Sequence, residues 1–250
     1  NGTCTTSVPS GALFSKQIVI STDGIQPESV ACGDFNGDGE VDLAFATWGR
    51  HTGHGGQIGW VKNTKDWAKD SDEQRPLIVV AQVYAGKQII SGDFNGDGRL
   101  DMAAASYGSL YGRKDYKITW YNNTDGFGNF SEITVSTNVN GAKGVVVGDF
   151  NGDGHLDLAS ASYFVKKIAW YKNTDGWGNF SPEIVVSTNA SGADSIVVGD
   201  FNGDGHLDLA SASHLDNKIA WYKNTDGLGT FGTQIVVSTN ASGAYSVVVG

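Results

Sequence analysis

The heptapeptide Gly-Asp-Phe-Asn-Gly-Asp-Gly occurs four times, opening at Gly33, Gly92, Gly148 and Gly199. Its first aspartates, Asp34, Asp93, Asp149 and Asp200, stand 59, 56 and 51 residues apart. The last two copies extend into long matches: each continues as NGDGHLDLASAS, then KIAWYKNTDG, then an IVVSTNASGA segment. Such self-similarity means one supersecondary unit repeated, each burying its apolar face against its neighbours. The approximate repeats are 14–75, 76–130, 131–180 and 181–230, with a partial fifth over 231–250, in one domain spanning 1–250.

Within a repeat the residues point to strands. Ile184 to Thr188, Ser195 to Phe201, His206 to Ser213 and Lys218 to Asn224 are rich in Val, Ile, Trp and Tyr and bounded by Gly, Asn, Asp and Ser. Thirty-five glycines against four prolines and one methionine fit many tight turns and little helix. The reading is an all-β chain of four-stranded antiparallel units, a β-propeller of four blades and part of a fifth, in which radial repetition protects the sheet edges. Trp60, Trp120, Trp170 and Trp221 recur at one place in the fourth strand and are read as core. No apolar run approaches the ~18 residues of a membrane helix. The N-terminus lacks the charged and apolar blocks of a secretion leader, so a secreted form would be already processed. The interval of 51 residues puts a fifth loop at position 251, and the chain is expected to continue past Gly250 as part of a larger propeller or to be completed by another chain.

Each repeat carries a loop of the form D-x-N-x-D-G-x-x-D. The four candidate oxygen sets are Asp34, Asn36, Asp38 and Asp42; Asp93, Asn95, Asp97 and Asp101; Asp149, Asn151, Asp153 and Asp157; and Asp200, Asn202, Asp204 and Asp208. Positions 1, 3 and 5 turn toward one centre when the backbone curls, which the glycine at position 6 permits. Position 7 is Glu40, Arg99, His155 or His206, an indifference to side chain that suits a main-chain carbonyl ligand. All-oxygen donors favour Ca²⁺ over zinc or copper, about four ions in all. An EF-hand is excluded, because its Glu at position 12 is replaced by Phe45, Ala104, Ser160 or Ser211 and the flanks read as strands. Twelve of the 27 acidic residues are these loop aspartates, so four bound Ca²⁺ would bring the formal charge of −10 to −2. Nothing basic or aromatic tracks a nucleic acid.

The GDFNGDGxxDLA segment and the IAWYKNTDG that follows it resemble the FG-GAP/VCBS repeats of integrin α-subunit propellers and fungal seven-bladed lectins. The resemblance implies calcium-binding blades and a role in adhesion, glycan binding or the non-catalytic part of a polysaccharide-degrading enzyme.

If strands alternate in direction, the Asp-rich loops and the NTDG loops share one face, and the loops that vary most lie on the other. These open at Trp48, Ser106, Ser162 and Ser213 and supply the candidate ligand residues Trp48, Tyr107, Tyr111, Tyr163, Phe164 and His214. His51 and His54 sit among glycines and read as a solvated loop. No nucleophile elbow, zinc helix, phosphate loop or repeated carboxylate pair is present, so the chain is read as non-catalytic. Glycosylation sequons at Asn1, Asn122, Asn129, Asn179, Asn189 and Asn240 favour an extracellular setting. Cys4 and Cys32 either pair or remain two unrelated thiols. The expected function is a calcium-stabilised extracellular module recognising a glycan or protein; the alternatives are a subunit of an extracellular filament or coat and the propeller part of a carbohydrate-active enzyme.

Overall fold

The computed structural model describes residues 26–49, 55–63, 75–108 and 115–248. Asn1, Cys4, His51, His54 and Tyr111 lie outside them. The described chain is all strand and turn, with no helix long and apolar enough to cross a membrane. Sixteen strands form four antiparallel sheets of four. The first holds β1 Pro27–Gly33, β2 Asp42–Thr47, β3 Gly56–Val61 and β4 Ile78–Val83. The second holds β5 Gly86–Gly92, β6 Asp101–Tyr107, β7 Tyr116–Asn123 and β8 Phe130–Ser136. The third holds β9 Ala142–Gly148, β10 Asp157–Ser162, β11 Lys167–Tyr171 and β12 Ile184–Ser187. The fourth holds β13 Ala193–Gly199, β14 Asp208–Ser213, β15 Lys218–Tyr222 and β16 Ile235–Ser238. Strands follow one another in sequence order across every sheet, as in propeller blades.

The sheets are offset by one strand from the sequence units. Ile184–Ser187, first in the sequence unit, pairs with β11, Ile184 lying opposite Trp170, and so completes the preceding sheet. The reason is local: the turn after Asn173 returns the chain as a hairpin, whereas the segment between Ser187 and Ala193 crosses to the next sheet. Strand ends shift too, for Asp200 and Phe201 belong to the loop rather than to β13.

Packing lies between sheets. Strand β10, Asp-Leu-Ala-Ser-Ala-Ser, is buried along its whole length, as is β14. Its small side chains let neighbouring sheets approach on both faces, and Ser160 Oγ meets the buried Tyr171 hydroxyl at 3.1 Å. The outermost strands β12 and β16 are half exposed. Trp60, Trp120 and Trp170 are each 3% exposed and sit in the three inter-sheet clusters, confirming their core reading, while Trp221 is only half-buried. Cys32, on β1, is disulfide-bonded, and no described cysteine is free.

Candidate metal loops and the opposite face

Each Asp-rich loop joins the first two strands of a sheet and is shaped by its own side chains. In the fourth, Asp200 Oδ1 accepts from the Gly203 and Asp204 amides at 2.8 and 3.1 Å, and Oδ2 accepts from Gly205 at 2.8 Å. Asn202 Oδ1 accepts from the Asp204 amide, and Asp204 Oδ1 from that of His206. Short polar side chains bonding to amides two to five residues on make a run of Asx turns, with Gly203 and Gly205 at positive φ where the chain doubles back. The amide of Gly205, first among several, holds the exposed Asp200 carboxyl below its usual range.

Position 9 differs. Asp42, Asp101, Asp157 and Asp208 are fully buried. Asp157 Oδ2 accepts from the Phe150 amide at 3.0 Å and Oδ1 from the Asn173 amide at 2.8 Å, tying the loop to the end of the third strand. Burial pushes Asp101 up to about 6 and Asp157 up to about 7, against the pull of these amide bonds. Desolvation of this kind is relieved by a nearby cation.

The donor chemistry fits a hard cation: the Asx bonds occupy part of each oxygen's capacity, and a carboxylate has about four lone-pair sites. The side chains are not gathered as a formed site. Among the described residues no three His, Cys, Asp or Glu converge closely enough to hold an ion. A basic group instead sits on each position-5 carboxylate: Lys62 on Asp38 at 3.0 Å, Lys172 on Asp153 and Lys223 on Asp204 at 3.1 Å. In the second loop the lysine's place is taken by Asn122, and Arg99 at position 7 supplies the cation to Asp97 at 3.2 Å. Three position-7 side chains are engaged elsewhere: Arg99 also donates to the Thr124 carbonyl, His155 lies against Gly176 and His206 against Gly227.

A residue overlooked in the sequence joins loop to loop. The asparagine of each NTDG turn sends Nδ2 across to the preceding sheet: Asn123 to the Phe35 carbonyl at 2.9 Å, Asn173 to Phe94 at 2.7 Å, Asn224 to Phe150 at 2.8 Å. Because its amide also bonds to the position-9 aspartate of its own sheet, the aspartate, the asparagine and the neighbouring loop form one chain of bonds. The Asp-rich loops and NTDG turns therefore share a face.

At the other end of the strands, five of the six candidate ligand residues come together as a row crossing four sheets. Trp48 and Tyr107 have ring centroids 5.5 Å apart, Tyr107 and Phe164 5.3 Å, Tyr163 and His214 5.3 Å, and His214 stacks on Tyr245 at 4.8 Å. Lys87 Nζ lies 3.5 Å from the Trp48 ring centre and Lys143 Nζ 4.3 Å from that of Tyr163. Beside the row opens a cavity of ≈ 430 Å³ lined by Glu28, Lys87, Gln88, Lys143, Asp194 and Tyr245 among others. Glu28, Lys87, Lys143 and Asp194 are the second residues of β1, β5, β9 and β13, and Tyr245 holds the corresponding repeat position after β16, outside any strand. Lys87 pairs with Glu28 at 3.0 Å, and Asp194 accepts from both Lys143 and His214. Of these, only Tyr245 belongs to the partial fifth repeat.

The FG-GAP-like repeat family matches residues 93–160, 149–211 and 200–250 in three consecutive copies. No curated protein matches the chain. Among solved structures, that of BBS1N in complex with ARL6DN, soaked with lead, superposes with a TM-score of 0.54 at 16% identity, covering 85% of this chain and 57% of that one. That of the V. cholerae biofilm matrix protein Bap1 gives 0.41 at 20% identity, covering 83% and 30%. The chain thus spans little more than half of the one and under a third of the other.

Proposed function

We propose, from the premise that the chain belongs to the FG-GAP-like repeat family, that it is a calcium-stabilised extracellular binding module whose ring-lined face takes a glycan. The observation that carries the reading is the row from Trp48 to Tyr245 beside a polar cavity. Sugars offer flat C–H faces to aromatic rings and hydroxyls to mixed donors and acceptors. The cavity supplies both, with Tyr245 next to Lys87, Lys143, Gln88, Glu28 and Asp194. Calcium in this account belongs to the opposite face: Asp and Asn at positions 1, 3, 5 and 9, with the position-7 carbonyl, would hold it, and the ion supplies charge neutralisation and rigidity. The module is read as non-catalytic, since the cavity carboxylates Glu28 and Asp194 are already engaged by ammonium and imidazole groups.

A glycan array probed with calcium-loaded protein tests this. Bound glycans should lose at least about tenfold in affinity, some 1.4 kcal/mol, in Tyr163→Ala and Tyr245→Ala, with calcium-dependent melting unchanged. A blank array, or binding that both variants retain in full, contradicts the assignment, and capture of a protein ligand by the same face would replace the glycan with that partner.

A further inference from the structure

Three NTDG turns hold a large apolar side chain out in water: Phe127 is 75% exposed, Trp177 69% and Leu228 69%. Single exposed apolar residues are ordinary, so exposure alone says nothing; the neighbours say more. Phe127-Gly128-Asn129-Phe130-Ser131 and Trp177-Gly178-Asn179-Phe180-Ser181 each place an aromatic ring two residues before the asparagine of a glycosylation sequon. The third turn reads Leu228-Gly229-Thr230, so ring and sequon disappear together. Elsewhere among the described residues the pairing is absent. Asn189 and Asn240 follow Ser187 and Ser238, and Asn122 follows Trp120, which is 3% exposed in the core.

The turns are built to hold ring and amide on one short loop. Thr124 N donates to the Asn129 carbonyl at 2.9 Å and Thr174 N to that of Asn179 at 2.9 Å, closing four-residue connections. Asp125 Oδ1 accepts from the Phe127 amide at 2.8 Å, and Asp175 Oδ1 from that of Trp177 at 2.9 Å. Asn129 and Asn179 are exposed, and each uses Nδ2 to donate to the turn's aspartate, at 2.5 and 2.6 Å. One N–H of the amide serves that bond, and the other is available for substitution.

We propose that Asn129 and Asn179 are N-glycosylation sites whose first sugar packs on Phe127 and Trp177, so that the exposed rings are covered by the glycan. The inference rests on the extracellular part of the function proposed above. In the reaction the asparagine Nδ2 bonds to the anomeric carbon of an N-acetylhexosamine carried on a lipid diphosphate. The carbon–oxygen bond to the diphosphate breaks, its electron pair leaves with the lipid diphosphate, and the displaced amide proton passes to a base of the transferase. The remaining N–H keeps the bond to Asp125 or Asp175, and the sugar's C–H face meets the ring.

The test is expression of the chain through a eukaryotic secretory pathway, with occupancy at each sequon mapped by mass spectrometry. Melting temperatures are then compared for the parent, Asn129→Gln, Phe127→Leu and the double variant. Expected are sugar at Asn129 and Asn179 and a glycan contribution of roughly 2–4 °C that Phe127→Leu abolishes, for leucine is what the third turn uses without a sequon. An empty Asn129 beside an occupied Asn189 or Asn240 overturns the inference and leaves secretion standing. So does a glycan contribution that Phe127→Leu leaves unchanged. Absence of sugar at every sequon overturns the inference alone, while glycan capture by the opposite face is measured independently.

Discussion

The four position-5 aspartates each share their carboxylate with a basic group, and in the second repeat, where Asn122 stands in the lysine's place, Arg99 supplies it. An ammonium 3.1 Å from Asp204 occupies the charge that a divalent ion would take. Removing it favours the ion by electrostatics, yet costs the metal-free protein little, because partly exposed pairs contribute under about 1 kcal/mol. Lys223→Met is therefore expected to tighten calcium binding at one site by roughly two- to fivefold in isothermal titration. Metal-free stability should change by less than about 0.5 kcal/mol. Unchanged or weaker calcium binding would remove Lys223 from this role. The loops were legible in the sequence because Asp, Asn and Gly act on amides two to five residues away, so the signal is local. The lysines and the Asn123, Asn173 and Asn224 bridges were not: the bridges join residues 74 to 88 positions apart, and no local pattern marks them.

Between elements, the contact that recurs is a glycine of one sheet's turn against a tryptophan of the preceding sheet. A Cβ on Gly178 would lie 2.2 Å from the Trp120 ring at φ +82°, and Gly128 and Gly229 repeat the arrangement on Trp60 and Trp170. Gly154 has a similar φ of +85° but open space around it, which separates backbone cost from packing cost. Gly154→Ala should lower stability by about 1 kcal/mol and Gly178→Ala by about 3 kcal/mol, measured by denaturant unfolding in chelator. Equal losses would mean that the turn is not wedged on the tryptophan. Strand identity and the tryptophan core were readable from β-branched and aromatic composition. The assignment of Ile184–Ser187 to the preceding sheet was not, because a strand's composition does not say which neighbour it pairs with. The ring row was half legible: the variable loops named Trp48, Tyr107, Tyr163, Phe164 and His214, while Lys87, Lys143 and Asp194 on inner strands, and Tyr245 beyond the last strand, are brought to the cavity only by the fold.

At the scale of the whole molecule, twelve loop aspartates in a chain of formal charge −10 make the loops a standing electrostatic load that calcium would lift. Four are buried at position 9, and three of them, Asp101, Asp157 and Asp208, are bonded through asparagine to the preceding sheet, so an ion at one of these loops would stabilise the contact with its neighbour as well as its own hairpin. Ligands that bind only the folded state raise stability by mass action, about 2.7 kcal/mol per site at a hundredfold excess over Kd. Thermal unfolding in excess chelator, followed by back-titration with Ca²⁺ or Mg²⁺, tests this most directly. Chelation is expected to lower the melting temperature by about ten degrees or more, on the order of one site's mass-action term for each of several loops, with Ca²⁺ restoring it and Mg²⁺ doing so poorly. A melting curve that is the same in chelator and in millimolar Ca²⁺ would contradict it.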